Sequence, residues 1–335
     1  MIPFQHQPVL LQETIDMLAL KPGMKIIDCT VGGGGHSTAI LKRILPGGYL
    51  VGIDQDGEAL VAADEQIRAS LRLRAENETQ SDEINKQDKP YQLVHRNFSQ
   101  IKEICTETGI DTVDGMLMDL GVSSYQFDEA TRGFSYQHDG VLDMRMNPLG
   151  DGPSAYDLVM YASAEELERI FLQFGQERWG RRIAQFIITE RQRAPIQTTG
   201  QLVEVIKKAI PSGARKEGPH PAKRAFQALR IAVNRELDIL EEAIRDSVDC
   251  LNTGGRLAVI SFHSLEDGIV KNTFRSLSQG CTCPKSFPVC VCGGQSKGKS
   301  LTPKPIVPGQ VEREENPRCT SAKLRVFQKA SAARE

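Results

Sequence analysis

Short apolar runs that end in turns or acidic residues recur through the first third of the chain. They predict four buried β-strands, at residues 25–30, 49–54, 91–95 and 113–120. Residues 37–45 and 58–73, between the strands, have the apolar spacing of helices. This alternation predicts a parallel sheet with helices on both faces. Residues 74–89 are polar and offer little to bury, so we interpret them as a mobile excursion.

A purely helical pattern replaces the alternation in the middle of the chain. Ser163 with Glu166, and Thr198 with Gln201, have the spacing of helix-capping pairs. Apolar residues at helical spacing follow each pair. A long helix is then predicted over residues 222–251, with its apolar residues on one side. The middle of the chain is therefore expected to be all-helical.

The two kinds of pattern divide the chain into domains. Strand patterns return at residues 255–262 and 322–327, so the helical block interrupts the α/β alternation instead of following it. We therefore predict a discontinuous α/β domain, residues 1–127 and 216–335, with an inserted all-helical domain at 128–215.

Composition is that of an ordinary globular protein of 335 residues, with 40% apolar and 25% charged residues. The chain has no apolar run long enough to span a membrane, so no membrane partner is expected. No secretory signal pattern is present at the N-terminus. Eight cysteines without such a signal favour a cytoplasmic, reducing location over a disulfide framework.

Charge is nearly balanced overall but unevenly distributed. The formal net charge is −2, yet the stretch from Arg178 to Arg235 contains 13 Lys or Arg against three Glu. The local excess of +10 has two interpretations. It is either a solvated helical face or a surface that contacts nucleic-acid phosphates.

A glycine-rich turn after the first predicted strand indicates a nucleotide-like cofactor. Gly32 begins a run of four glycines that opens a helix, and Asp54 closes the second strand 22 residues later. Such a loop lets a ligand approach the backbone, and such an acid accepts hydrogen bonds from ribose hydroxyls. Ser37 stands where the dinucleotide pattern requires glycine, and Asp28 could hold a cationic amino group. These features favour S-adenosylmethionine over a nicotinamide dinucleotide.

Two further residues follow predicted strands at the edge where such folds bind ligands. Phe98 could lie against adenine, or it could simply pack in the core. Asp119 ends the fourth strand and introduces a cluster of distinctive motifs. The motifs are MDLGVSSYQ (118–126), RGFS (132–135), DGVLDMRM (139–146), HPAKRAFQALRI (220–231) and SFHSLED (261–267).

These motifs, in this order, closely resemble the RsmH (MraW) family of bacterial 16S rRNA cytosine-N4 methyltransferases. The resemblance covers nearly the whole chain. It implies a class I S-adenosylmethionine-dependent methyltransferase fold, Rossmann-like, with an inserted helical domain that recognises substrate. The family's cofactor contacts carry over to Gly34, Gly35, His36, Asp54, Phe98, Asp119 and Gln126.

The resemblance implies methyl transfer to the N4 amine of a cytidine in 16S rRNA of the 30S subunit, and no DNA substrate. Asp119 is the predicted catalytic residue, because a carboxylate can accept the amine hydrogens of the target base. The base must be unpaired to reach the cofactor. A homodimer is left open. The predicted substrate-binding residues are Asp139, Arg145, Lys223, Arg224 and His263.

Three other functions are compatible with parts of this pattern. A DNA cytosine-amine methyltransferase would have a proline-rich tetrad where residues 119–122 read DLGV. A nicotinamide-dependent dehydrogenase is disfavoured by Ser37. A cofactor-sensing protein without catalysis would require an activity assay to exclude.

A cysteine cluster near the C-terminus is found in only some members of the family. Cys281, Cys283, Cys290 and Cys292 could bind zinc as four thiolates. Their spacing is tighter than the usual zinc knuckle and they lie in a loop rich in proline and glycine. No metal site is therefore predicted.

Overall fold

Seven strands form one sheet in the computed structural model, which describes residues 8–77, 89–215, 220–280, 283, 287 and 294–331. The strands are β1 (Lys25–Asp28), β2 (Tyr49–Asp54), β3 (Tyr91–His95), β4 (Val113–Asp119), β5 (Leu251–Ser261), β6 (Gly298–Ser300) and β7 (Lys323–Lys329). Their order across the sheet is β3-β2-β1-β4-β5-β7-β6. The first five strands pair in parallel, whereas β7 is antiparallel to both of its neighbours.

Helices connect the strands and fill the middle of the chain. The described α-helices are α1 (Leu11–Leu18), α2 (Gly35–Ile44), α3 (Gly57–Asn77), α4 (Ile101–Glu107), α5 (Ser124–Asp128), α6 (Ala155–Tyr161), α7 (Ala164–Gln173), α8 (Gly180–Arg191), α9 (Thr199–Ala209), α10 (Ser212–Arg215), α11 (Lys223–Asn234), α12 (Leu240–Asp249), α13 (Ser264–Ser278) and α14 (Gln310–Glu315). Short 3-10 helices occur at Phe98–Gln100, Ala130–Arg132 and Pro317–Ser321. Within the described ranges, no helix combines the length and apolar character needed to cross a membrane.

The sheet is buried on both faces, as the continuous apolar strands require. Ile27 of β1 lies in register between Val51 of β2 and Met116 of β4, and all three belong to one buried cluster with α4, α12 and α13. Ile26, the preceding residue, belongs to a second cluster with α1, α2 and Leu50. Side chains alternate between faces along a strand, so helices cover both faces. The predicted α/β fold, with helices on both faces of a largely parallel sheet, is confirmed.

The chain divides into two compact units. The first unit comprises Met1–Gly121 and Ile239–Glu335, and the second unit comprises Val122–Asp238. The second unit is longer at both ends than the predicted insertion, residues 128–215. At the C-terminal end the reason is helix α11, whose Phe226 and Leu229 are buried in the same cluster as the helices before it. At the N-terminal end, Val122 and Phe127 pack against that cluster.

The predicted single helix over residues 222–251 is wrong, since the chain leaves the helix at Arg235. That residue has φ 52°, in the left-handed region, and caps α11. Asn234 stabilises this end of the helix. Its amide donates to the carbonyls of Met144 and Arg230, and its oxygen accepts from the backbone of Met146. A new helix, α12, then starts within the first unit.

Other predictions from the helical pattern agree with the structure. Ser163 and Thr198 cap α7 and α9 through the predicted contacts with the backbone of Glu166 and Gln201. The polar excursion predicted for residues 74–89 begins inside α3, and residues 78–88 lie outside the described part of the chain.

Candidate active site

The glycine-rich loop leads from β1 into α2. Gly32 and Gly34 have φ values of 50° and 85°, which side chains other than glycine rarely adopt. A Cβ atom on Gly35 would lie 2.4 Å from Cγ of Pro8, so only glycine fits there. A Cβ on Gly33 would meet no atom within 4 Å. The loop is therefore closely packed on one side and open at Gly33, as a backbone cradle for a ligand requires.

Asp54, at the end of β2, holds this loop in place. Its carboxylate accepts hydrogen bonds from the backbone N–H of Gly32, at 2.8 Å, and of Asp56, at 2.9 Å. Burial raises the pKa of Asp54 to about 6 despite these donors. Each carboxylate oxygen can accept more than one hydrogen bond, so a ribose hydroxyl could still bind there.

Asp28, at the end of β1, is completely buried. It accepts hydrogen bonds from the Ser37 hydroxyl at 2.6 Å and from the Thr30 N–H at 3.2 Å. Burial raises the pKa of Asp28 to about 6. Ser37 is the residue that departs from the dinucleotide pattern. Its hydroxyl bonds a carboxylate that a glycine at this position could not reach.

Asp119 ends β4, and its backbone N–H donates to the Thr30 hydroxyl at 2.6 Å. Its side chain is 24% exposed, with Oδ2 3.6 Å from Nδ1 of His36. The other oxygen, Oδ1, is buried and has no hydrogen-bond partner among the described residues. Burial, together with the carboxylates of Asp28 and Glu266, raises the pKa of Asp119 well above its usual value.

His36, in the first turn of α2, does not neutralise Asp119. Burial lowers the pKa of its ring to about 4, so the imidazole is neutral at physiological pH. Its Nε2 atom is also buried without a hydrogen-bond partner in the described part of the chain. The pair thus presents two unsatisfied polar atoms, which a bound ligand could satisfy.

Phe98 follows β3 and starts the 3-10 helix there. The side chain of Asn97 accepts the Ser99 N–H at 2.9 Å and donates to Gln55, the residue after Asp54, at 2.8 Å. Phe98 is half-buried and packs against the core cluster of the first unit. Core packing therefore accounts for part of the ring, and its contact with adenine stays a prediction.

Together these residues form an acidic end of the sheet. The parallel strands β1, β2 and β4 each end in an aspartate, and parallel strands place their carboxyl ends at one edge. Within the described residues, none of the three aspartates forms an ion pair with a lysine or arginine. The arrangement fits S-adenosylmethionine, which carries a cationic ammonium group, a cationic sulfur and ribose hydroxyls.

The remaining predicted cofactor residue, Gln126, lies in the second unit. It is buried and forms a capping box with Ser123 at the start of α5. Its side-chain oxygen accepts the Ser123 N–H at 3.0 Å. This capping role was not anticipated from the sequence, and the cofactor contact of Gln126 stays a prediction.

Two of the predicted substrate-binding residues stabilise loops of the second unit. Asp139 is exposed and accepts the Gly200 N–H at 2.8 Å. Hydrogen bonds, the largest from the Thr198 hydroxyl, lower the pKa of Asp139. Arg145 forms a 2.8 Å ion pair with Asp143 and also donates to the Gly150 carbonyl.

The other predicted substrate-binding residues occupy helix starts. Lys223 and Arg224 are exposed in the first turn of α11. Arg224 donates to the Gln176 carbonyl at 3.1 Å, while the Lys223 ammonium has no partner among the described residues. His263 caps α13 in the first unit, and its ring accepts the backbone N–H of Glu266. Four of the five predicted residues thus belong to the second unit and His263 to the first, and their contact with substrate stays a prediction.

Sequence reasoning missed the contributions of Thr30 and Glu266. Thr30 holds the backbone of Asp119, and Glu266 is buried at 1% exposure. Its carboxylate accepts the N–H groups of Phe262 and His263. The separation of three residues between His263 and Glu266 is a capping-box spacing, so that signal could have identified Glu266.

Most of the cysteine cluster cannot be placed relative to this site, because Cys281, Cys290 and Cys292 lie outside the described residues. Cys283 is half-buried. The prediction that they bind no metal stays a prediction.

Comparison with known proteins identifies relatives along the whole chain. A sequence profile of the MraW methylase family matches residues 3–330. The "ribosomal RNA small subunit methyltransferase H" of Clostridium botulinum is 52% identical over 326 residues, covering 97% of this chain and 99% of the relative. The protein of that name from Symbiobacterium thermophilum is 49% identical over 335 residues, covering 99% of each chain. A solved rRNA methylase from Streptococcus thermophilus aligns with a TM-score of 0.42 and 10% identity, covering 99% of each chain.

Replacement of Asp54 by alanine should weaken binding of S-adenosylmethionine by roughly 1–3 kcal/mol, because the ribose loses an acceptor and the glycine loop loses its anchor. Isothermal titration calorimetry measures this. Asp114→Ala is the matched control. Asp114 also accepts a backbone N–H, that of Lys25, but at the opposite edge of the sheet. Unchanged affinity in Asp54→Ala would remove Asp54 from the site.

The stability of the cofactor-free protein should depend on pH through Asp28. Its pKa is raised from 3.8 to about 6, so between these values the unfolded chain loses a proton that the folded chain retains. The contribution of Asp28 to the free energy of unfolding is fully present below pH 4 and is lost as pH rises through about 6. The unfolding free energy of the wild type, measured relative to that of Asp28→Asn, should fall by on the order of 3 kcal/mol between pH 4 and pH 7.

Urea unfolding at several pH values tests this expectation. Asp111→Asn, at an exposed position, is the matched control and should follow the wild-type profile. Parallel profiles for the wild type and Asp28→Asn would show that Asp28 is not buried as described.

Proposed function

This chain belongs to the MraW methylase family, and from that premise we propose that it methylates the N4 amine of a cytidine in 16S rRNA. S-adenosylmethionine is the methyl donor. Support for the rRNA substrate comes from the relatives, which share about half of the residues and are named as small-subunit rRNA methyltransferases. One structural observation carries the proposed chemistry. It is the buried Oδ1 of Asp119, at the acidic end of the sheet, which has no hydrogen-bond partner among the described residues.

The difficulty of the reaction lies in the nucleophile. The lone pair of an exocyclic cytosine amine is delocalised into the ring, so the neutral amine is a poor nucleophile. A carboxylate that accepts the amine hydrogens would localise this pair and stabilise the positive charge that develops on nitrogen. Asp119 has a free acceptor for this purpose in Oδ1, and its backbone is held by Thr30.

The raised pKa of Asp119 supports a second role for the same group. Burial and the carboxylates of Asp28 and Glu266 make this carboxyl a stronger proton acceptor than an exposed aspartate. The methylated amine has one proton to lose, and Asp119 is the group that would take it. His36 is neutral and buried beside Asp119, so it excludes water without neutralising the carboxylate.

The other residues of the acidic end would hold the cofactor. When bound, S-adenosylmethionine supplies an electrophilic methyl group on a cationic sulfur. Asp54 would accept the ribose hydroxyls, Asp28 would face the ammonium charge, and the backbone at Gly34 and Gly35 would line the ligand. Their contribution to the rate is positional, because in-line transfer depends on the alignment of the reacting atoms.

The second unit would recognise the RNA, within the 30S subunit of the cytoplasm. The whole stretch from Arg178 to Arg235, with its excess of +10, lies there, and the arginines at 178, 181, 182 and 193 are exposed. Phosphate contacts of this kind position a nucleic acid, while the pocket selects the base. DNA is not proposed as a substrate, since residues 119–122 read DLGV in place of a proline-rich tetrad.

Wild-type protein should convert a cytidine of 16S rRNA to N4-methylcytidine in 30S subunits from cells that lack the gene. Mass spectrometry of the digested nucleosides identifies the product. Asp119→Asn should lower the single-turnover rate at least about 100-fold, because it loses the charge that stabilises the amine. Its unfolding free energy should not fall, since an unpaired buried charge is removed.

Asp114→Asn, at the other end of β4, is the control and should retain activity. A methylated carbon, or a different modified base, would overturn the N4 assignment. Activity of Asp119→Asn within a few-fold of the wild type would instead leave the product assigned and remove Asp119 from the chemistry.

Reversal of Lys223 and Arg224 to glutamate should weaken 30S binding and flatten its salt dependence, because fewer counterions are released. Affinity for S-adenosylmethionine should stay unchanged. Lys271→Glu with Arg275→Glu, at exposed positions on α13 in the first unit, makes the same change in net charge and is the matched control. Equal 30S affinity for the wild type and the α11 variant across salt concentrations would show that this basic run is a solvated face.

A further inference from the structure

Two aromatic rings of the second unit stack face to face. The centroids of Tyr136 and His220 are 4.7 Å apart and their planes differ by 8°. Phe226 packs edge-on against Tyr136, with centroids 5.9 Å apart and planes at 82°. Phe226 is buried in the core of the second unit. The stack therefore stands on a fixed base, and His220 is its outer ring.

The ring of His220 is exposed, yet its orientation is fixed. Its Nδ1 accepts the backbone N–H of Ala222 at 3.2 Å, which leaves the proton of the neutral ring on Nε2. Partial burial, and then the ammonium of Lys207, lower the pKa of His220. The ring is thus a neutral, flat surface at physiological pH. A side chain held in this way loses little conformational entropy when a second ring stacks on it.

Cationic side chains accompany this stack on α9 and α11. Lys223, three residues after His220, is exposed, and its ammonium has no partner among the described residues. Lys207 and Lys208 lie in the last turn of α9. The charge of Lys207 acts on His220, although Lys207 also pairs with Glu204 at 2.9 Å. A flat aromatic surface with positive charge beside it is the combination that binds single-stranded nucleic acid. The aromatic face stacks a base, and the cations neutralise the adjacent phosphates.

We propose that the exposed face of His220 stacks an unpaired base of the substrate RNA, with Lys223 contacting the adjacent phosphate. The proposal rests on the rRNA methyltransferase function proposed above and deepens it. It names a residue that recognises single-stranded RNA. Bases paired within a duplex do not offer a free face. The aromatic platform formed by the stacked rings of Tyr136 and His220 therefore selects loops, bulges or ends over continuous helices.

Three variants separate stacking from other roles of His220. His220→Ala removes the ring, and His220→Phe retains a flat ring without its nitrogen atoms. His138→Ala removes an exposed histidine of the same unit for which no ring stacking is described. The probe is the 30S subunit from cells that lack the gene, titrated at several salt concentrations. Thermal melting of each variant establishes that the second unit remains folded.

His220→Ala should weaken 30S binding roughly 5- to 150-fold with an unchanged salt slope, because stacking releases no counterions. His220→Phe should bind within about three-fold of the wild type. His138→Ala should bind as the wild type does, and Lys223→Ala should reduce the salt slope by about one.

Two results would overturn the platform alone. Wild-type affinity in a folded His220→Ala variant would show that the ring only covers Tyr136. Equal losses in His220→Ala and His220→Phe would show that a hydrogen bond from the imidazole, not stacking, is lost. If wild-type protein neither bound nor methylated 30S subunits, the proposed function would fail, and the platform with it.

Discussion

The first unit depends on the burial of several carboxylates at the carboxyl ends of its parallel strands, where no lysine or arginine of the described residues neutralises them. Each buried charge costs several kcal/mol unless donors or counter-charges replace the lost water. Here a hydroxyl from Ser37 and the backbone N–H groups of Gly32 and Thr30 supply part of that compensation. The raised pKa values of Asp28 and Asp54 show that the compensation is incomplete.

This constraint accounts for the local sequence. The glycine loop directs the N–H of Gly32 to Asp54 and the N–H of Gly34 to the Val31 carbonyl, and both glycines have positive φ. The hydroxyl of Thr30 anchors Asp119 through its backbone, leaving the carboxylate free. A cationic ligand would supply the counter-charge that the buried carboxylates lack. Cofactor affinity and the instability of the empty site therefore have the same physical origin, which is the uncompensated charge of these carboxylates.

Much of the fold could be predicted from the sequence, because the parallel strands are continuous apolar runs that end in acids. Asp54 and Asp119 were identifiable for the same reason, as acids at predicted strand ends. The break between α11 and α12 was not predictable. It depends on hydrogen bonds between the Asn234 side chain, which donates to Met144 and accepts from Met146, and backbone groups about 90 residues away in sequence. Local periodicity continues through Arg235 and contains no signal for such contacts.

The structural roles of Gln126, Asp139 and Arg145 escaped sequence reasoning for a related reason. Each is a polar residue in a distinctive motif, and each satisfies backbone or charged groups in its own unit. A motif shows that a residue type is required but not whether a ligand or the fold requires it. For Asp139, the partner at Gly200 lies 61 positions away and becomes visible only in three dimensions.

The position of β7 in the sheet has a consequence for biosynthesis. This strand, formed by residues 323–329, lies between β5 and β6 and is not at the edge. During translation, one edge of β5 therefore stays unpaired until β7 has left the ribosome. The second unit is continuous in sequence and is complete before β5 is synthesised. The nascent chain thus passes through a stage in which β5 has one unpaired edge, and this stage is the one most exposed to edge-to-edge aggregation.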